Sequence, residues 1–287
     1  MKVQIITDSA CDMPEEKQKK YHIQILPLYV TQDETLYRDG IDIHPDEIYR
    51  KMAEGVVFKT SQIPYTDYFE CFEAYAKKGQ PVLYLSFSSG LSGTFQTARL
   101  AQRDVMEKYP GAQIGVTDTK AVLAGLGMIV EIVGRAAAMG ADMESLIALS
   151  ERCSKHIHHI FTVADLEYLY RGGRLNKGTA LIGNALKIRP FLIVDPNGEL
   201  KQIGKARGEK RLLKMMIAYM GENGYDMTKQ PICVEHAADL DVAEEFIKMF
   251  KKAYDNTDIT LMTVAPVIGT HLGPGSLTAY FFDEPVE

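Results

Sequence analysis

The sequence predicts an α/β protein of two domains: an N-terminal one with a mostly parallel sheet flanked by helices, and a C-terminal one with a mixed or antiparallel sheet and helices. Three observations carry this. Apolar runs of strand length alternate with helix-like segments through most of the 287 residues. The first half reads as successive β-turn-α units, the arrangement a parallel sheet needs. The second half contains Asp195-Pro196-Asn197-Gly198, whose proline, asparagine and glycine supply the backbone angles of a hairpin, so strands there run antiparallel. This change of character puts a domain boundary near residue 155, giving domains 1–155 and 156–287.

Val3 to Ile6 reads as a buried strand, and Asp8 to Asp12 as the turn into a short charged helix. Ile23 to Val30 is a second strand, broken by Pro27. Between Tyr65 and Lys78 the residues Tyr65, Tyr68, Phe69, Phe72, Tyr75 and Ala76 recur at spacings of three and four, which gives a helix one apolar face. A strand follows at Pro81 to Ser86 and a helix from Leu91 onward. Gln113 to Thr117 is the next strand, ahead of a glycine-interrupted apolar helix from about Ala121 to Met139. In the second half, Ile157 to Val163 is a strand and Asp165 starts a helix ending at Arg171-Gly172-Gly173-Arg174. Phe191 to Val194 and Glu199 to Lys205 flank the hairpin turn. Strands at Ile232 to Glu235 and Ile259 to Val264 bracket a helix from about Asp239 to Tyr254, and Leu277 to Phe282 closes the set.

Composition narrows the function. With 46% hydrophobic residues and 23 glycines, the apolar content sits slightly above the ~45–50% usual for globular domains. The longest stretch near the middle without a charged or strongly polar side chain, Ala121 to Val130, falls well short of the ~20 residues that span a bilayer. The first residues, Met1 to Asp8, turn polar early and show no signal-peptide pattern, so a cytoplasmic protein is expected, without stable membrane insertion. Cysteines at 11, 71, 153 and 233 are too far apart in sequence for a CxxC pair and read as free, mostly buried thiols. A net charge of −6, with both signs interspersed, argues against nucleic acid as a partner.

Four polar, glycine-containing stretches fall where α/β folds place ligands, at the predicted ends of strands. They are Thr60-Ser61-Gln62-Ile63-Pro64, Ser88-Ser89-Gly90-Leu91-Ser92-Gly93-Thr94, Arg171-Gly172-Gly173-Arg174-Leu175 and Gly269-Thr270-His271-Leu272-Gly273-Pro274-Gly275. The second precedes a helix, so its free N–H groups suit an anion; an ordinary Ser or Thr N-cap reads equally well. His271, in what reads as a Gly-Pro-Gly loop, points to a ligand contact rather than a structural imidazole. His156, His158 and His159 look like a metal cluster, but on a strand His159 faces away from the other two and no acidic or thiol ligand is near in sequence. A solvated strand is the reading taken, with no metal. Thr94 stands where a G-x-S-x-G nucleophile elbow needs glycine, and neither a GxxxxGK[ST] phosphate loop nor a GxGxxG is present.

In this order, together with Ile6-Thr7-Asp8-Ser9 and Arg189-Pro190, these stretches resemble the DegV family over nearly the whole chain. One departure is Ile63 between Gln62 and Pro64, where the family often has proline directly after glutamine. The resemblance implies a long-chain fatty acid such as palmitate or oleate bound between the two domains as ligand, with no cofactor and no catalysis by the chain alone. It implies that Thr60, Ser61 and Ser92 hold the carboxylate, with His271 beside them. Some members serve a fatty acid kinase as its lipid-binding partner, which makes Arg171 and Arg174 candidates to face that kinase. Lys205 to Arg211, with Arg207 at its centre, adds a basic segment that either docks an acidic partner or is a solvated helix start. The competing reading is a serine esterase or acyltransferase using Ser92 and His271 with a carboxylate such as Asp8. A sugar- or nucleotide-binding module is weakened by the missing phosphate loops. Part of the apolar excess, in Met, Leu, Ile and Phe, is expected to line an acyl tunnel.

Overall fold

The computed structural model describes residues 1–175 and 188–286. In chain order the first half comprises β1 (Gln4–Asp8), α1 (Glu15–Lys20), β2 (Gln24–Leu26), β3 (Tyr29–Gln32), β4 (Thr35–Arg38), α2 (Pro45–Ala53), β5 (Lys59–Ser61), α3 (Tyr65–Lys77), β6 (Val82–Ser86), α4 (Thr94–Lys108), β7 (Ile114–Asp118), α5 (Leu123–Ala138) and α6 (Met143–His156). The second half comprises β8 (Ile157–Thr162), α7 (Glu167–Arg171), β9 (Ile188–Val194), β10 (Leu200–Arg207), α8 (Glu209–Asn223), β11 (Ile232–Ala237), α9 (Leu240–Tyr254), β12 (Ile259–Thr263), α10 (Pro266–Leu272) and β13 (Ser276–Phe282).

Three sheets result among the described residues. The first, in the order β2-β1-β6-β7, is parallel throughout. Its strand β6, Val-Leu-Tyr-Leu-Ser, is buried at every residue, as expected of a strand with helices on both faces. The second, β10-β9-β8-β13-β11-β12, is antiparallel except for the β11/β12 pair. The predicted fold class, a parallel sheet followed by a mixed one, is the observed one. The third, β4-β3-β5, is a small antiparallel sheet that the sequence reading lacked. The expected strand Ile23 to Val30 is two strands in different sheets, because Pro27 interrupts the ladder and the chain turns there.

The apolar stretch from Ala121 to Val130 leads into α5. Eleven of its sixteen residues are buried, including every one from Leu123 to Val130. It lies between β1 on one side and β8, β11 and β13 on the other. A helix apolar all round is stable only where it is covered all round, and this one is the shared core of the two large sheets. Its glycines permit the approach: a Cβ on Gly127 would sit 2.5 Å from the Asp12 carbonyl oxygen, and one on Gly125 would collide with the His159 ring.

The Asp195–Gly198 turn forms as expected. The Asp195 carboxylate accepts the N–H of Asn197 (2.8 Å) and Glu199 (3.1 Å), and Gly198 takes φ +79°. The turn also reaches across the molecule, where the Ser88 hydroxyl donates to the Gly198 carbonyl at 2.7 Å. This contact fixes the β9–β10 hairpin against the loop after β6.

Candidate functional site: an apolar tunnel with a polar end

A cavity of about 80 Å³ lies where the three sheets meet. Its walls are mostly apolar: Leu28, Phe87, Leu91, Val122, Leu123, Ile160, Phe161, Leu169, Val194, Leu200, Val267, Ile268 and Leu272. No methionine appears among the described lining residues, contrary to expectation. Most of the apolar excess goes to α5 and the cores instead.

Polar groups gather at one end. Thr60, Ser61, Gln62, Ser92, Arg174 and His271 line the same cavity, and short contacts tie their segments together. The Thr60 hydroxyl and His271 Nε2 are 2.8 Å apart. Gln62 lies against Gly93, which leaves no room for a Cβ there, and its amide donates to Thr97 Oγ1 at 3.1 Å. Arg174 donates from Nε to the Leu91 carbonyl (3.0 Å) and from a terminal nitrogen to the Gly172 carbonyl (2.5 Å). Ile63, the departure from the family pattern, is fully buried and anchors the loop that carries these residues.

The tautomer of His271 follows from its surroundings. Burial, then the charges of Arg174 and Arg171, lowers its pKa to about 3, so the ring is neutral. Nδ1 packs against Gly172, buried and without a hydrogen-bond partner. A buried N–H left unpaired costs about 1–3 kcal/mol, more than an unpaired ring lone pair, so the proton sits on Nε2 and is donated to Thr60 Oγ1. The Thr60 hydroxyl is then free to donate into the cavity. Ser92 is arranged alike: its oxygen accepts the Thr94 N–H (3.2 Å) and lies 2.9 Å from the buried Thr94 hydroxyl. With Thr94 donating, the Ser92 proton is also released toward the cavity. Two hydroxyl donors and a half-buried guanidinium at the polar end of an apolar channel suit a carboxylate carrying a long apolar tail.

Several expectations need correction. His271 is not in a loop; it occupies the last turn of α10, whose start is set by Pro266. Arg171 to Leu175 follows a helix and not a strand end, and Arg174 turns inward to the cavity, whereas Arg171 stays exposed with its guanidinium 4.9 Å from the Tyr168 ring centre. Arg207 ends β10 and is exposed. His156 closes α6 instead of lying on the strand, and it shares Asp283 with His158 at 2.7 and 3.0 Å. His159 is not solvated: it is buried in the cavity wall, its Nε2 accepts the Val122 N–H at 3.3 Å, and burial holds its pKa near 3. Ser92, His271 and Asp8 are not assembled as an esterase triad. The Asp8 carboxylate is occupied by the Tyr84 hydroxyl (2.7 Å) and the N–H groups of Phe87 and Ala10, His271 bonds to Thr60, and no carboxylate holds its Nδ1.

The sequence model of the DegV family matches residues 2–284. The chain belongs to the DegV family. A DegV domain-containing protein of Clostridium perfringens is 36% identical over 285 residues, 99% of this chain and 98% of that one. Among solved structures, this DegV family chain is similar to a fatty-acid-binding DegV protein of Thermus thermophilus (TM-score 0.88, 29% identity, covering 99% of this chain and 100% of that one). It is also similar to a stearic-acid-binding protein of Eubacterium ventriosum (TM-score 0.87, 28% identity, 98% of each chain). Bacillus subtilis DegV, a fatty acid binding protein, gives a TM-score of 0.86 at 27% identity over 98% of this chain and 99% of its own. No helix among the described residues of this DegV protein is long and apolar enough to cross a membrane.

Proposed function

We propose that this DegV protein binds one long-chain fatty acid between its halves, 1–155 and 156–287, in the cytoplasm, and presents the carboxylate to a fatty acid kinase. The observation that carries the reading is the pairing of an apolar channel with hydroxyl donors, Thr60 and Ser92, whose own acceptor sites are already filled by His271 and Thr94. Burying about fourteen methylenes contributes on the order of 10 kcal/mol before the costs of association, so the tail supplies affinity and the polar end supplies orientation. The fatty acids bound by similar DegV proteins support the same ligand class. Mass spectrometry of a denaturing extract of the purified protein is expected to find fatty acid near one per chain. A lipid-free protein that also ignores added palmitate and oleate would sink the reading.

Ser92→Ala is expected to weaken palmitate binding by roughly 10-fold, the scale of one hydrogen bond to a charged group, and Thr60→Val by a similar factor. Titration of both variants against wild type checks this; unchanged affinity in both would place the head group elsewhere.

In the kinase step, a carboxylate oxygen of the bound acid attacks the γ-phosphorus of ATP, giving an acyl phosphate and ADP. Arg171 is exposed on the turn whose Gly172 packs against His271, so it lies beside the polar end without lining it. Arg171→Ala is therefore expected to leave lipid affinity within about twofold while lowering acyl-phosphate formation with a cognate kinase, since guanidinium pairs strongly with phosphate. Loss of lipid binding instead would move Arg171 into the pocket.

A further inference from the structure

A second cavity, of about 470 Å³, adjoins the tunnel. Its walls carry more charge: Asp118, Lys120, Glu151, Lys155 and Asp195 line it beside Ile157, Ile193, Pro196 and Tyr219, with Lys120 held 2.7 Å from Asp118. Among the described residues, His159 and Val194 alone belong to both linings. Two side chains thus stand between the tunnel and a more polar cavity.

They stand there for different reasons. His159 is pinned: Val122 donates to its Nε2, its ring meets Tyr280 edge-on at a centroid distance of 5.4 Å, and Gly125 of α5 packs against it. No low-cost rotation takes it out of the way. Val194 sits beside it, on the neighbouring strand β9, where the antiparallel register that pairs Ile160 with Ile193 brings Val194 level with His159, and it is only half buried. Resting on the fatty-acid reading above, we propose that His159 and Val194 form the end stop of the tunnel and set the longest acyl chain the protein accepts.

A chain that reaches this wall has its terminal methyl against the imidazole edge. Further methylenes must either break the Val122–His159 bond or enter the second, more polar cavity, where each gains less. The stop therefore sets a ceiling on length, and chains shorter than it lose affinity only methylene by methylene.

The test is competition binding across saturated fatty acids from twelve to twenty-two carbons, on wild type, His159→Ala, Val194→Ala and Val194→Phe. His159→Ala is expected to improve acids four carbons longer than the wild-type optimum by roughly 10-fold relative to that optimum. Val194→Ala should shift the same way by less, and Val194→Phe should shorten the optimum. An unchanged length profile in the Val194 variants would overturn the proposal, and those variants decide it even if His159→Ala does not fold. Wild type that binds no acid of any length would overturn the fatty-acid reading itself, a result distinct from an unshifted profile.

Discussion

Replacing Glu235 with alanine is expected to cost the fold about 2–5 kcal/mol, because the Asp12 proton and the Ala124 N–H are each left buried without their acceptor. Glu235 on β11 and Asp12 after β1 are both fully buried and face each other across the two halves of the chain. Asp12 accepts the Ala265 N–H (2.9 Å) and Glu235 the Ala124 N–H (3.2 Å). Burial and then the negative charge of Glu235 push the Asp12 carboxyl far above its usual range, so it keeps its proton and donates it to Glu235. Glu235→Gln preserves the shape and the acceptor for Ala124, so denaturation midpoints should show a much smaller loss; equal losses would mean the shared proton contributes nothing. The sign with pH follows. The folded-state pKa of Asp12 lies above the unfolded one, so its contribution is complete below pH ~4 and is lost as pH rises through the folded value. His159 and His271, both near 3 in the fold, act oppositely and lose stability as pH falls below ~6.5. The difference between wild type and Glu235→Gln, followed from pH 5 to 9, isolates the carboxyl pair and should shrink as pH rises.

Leu200→Trp is expected to abolish measurable fatty acid binding. Leu200 opens β10, lines the tunnel and is only half buried, so a larger side chain there fills the channel from its hairpin wall without displacing the main cores. Excluding about six methylenes forfeits roughly 5 kcal/mol, which corresponds to more than a thousandfold in affinity. A thermal melt close to wild type, with palmitate binding reduced at least a hundredfold, is the expected pair of results. Palmitate binding that survives the tryptophan would place the acyl chain outside this cavity.

Much of the frame is readable along the chain. Period-2 and period-3.6 patterns locate β6, β7, α3 and α9 to within a few residues, and the Asp195–Gly198 turn specifies its hairpin. The small sheet escapes because β4 is mostly exposed and polar, and β5 is three residues long, so neither carries an alternation that burial would impose. The helix α10 escapes because seven residues containing proline and glycine resemble a loop, and only its packing beside α2 and α7 holds it helical. Alternation did show that His159 faces away from His158, but which of the two faces is the buried one is set by α5, a neighbour in space and not in sequence.

The sequence by itself determined the fold class, the family and the residues from which the polar end is built, because those are local patterns and ordered motifs. Only the tertiary structure decided how they act. It placed His271 on a helix with its proton turned to Thr60, and it drew Arg174 inward. It joined Asp12 to Glu235 and set His159 and Val194 side by side in the cavity wall. Each of these depends on a buried contact between residues far apart in the chain, where exclusion of water, and not the identity of the side chain, fixes the protonation state and the role.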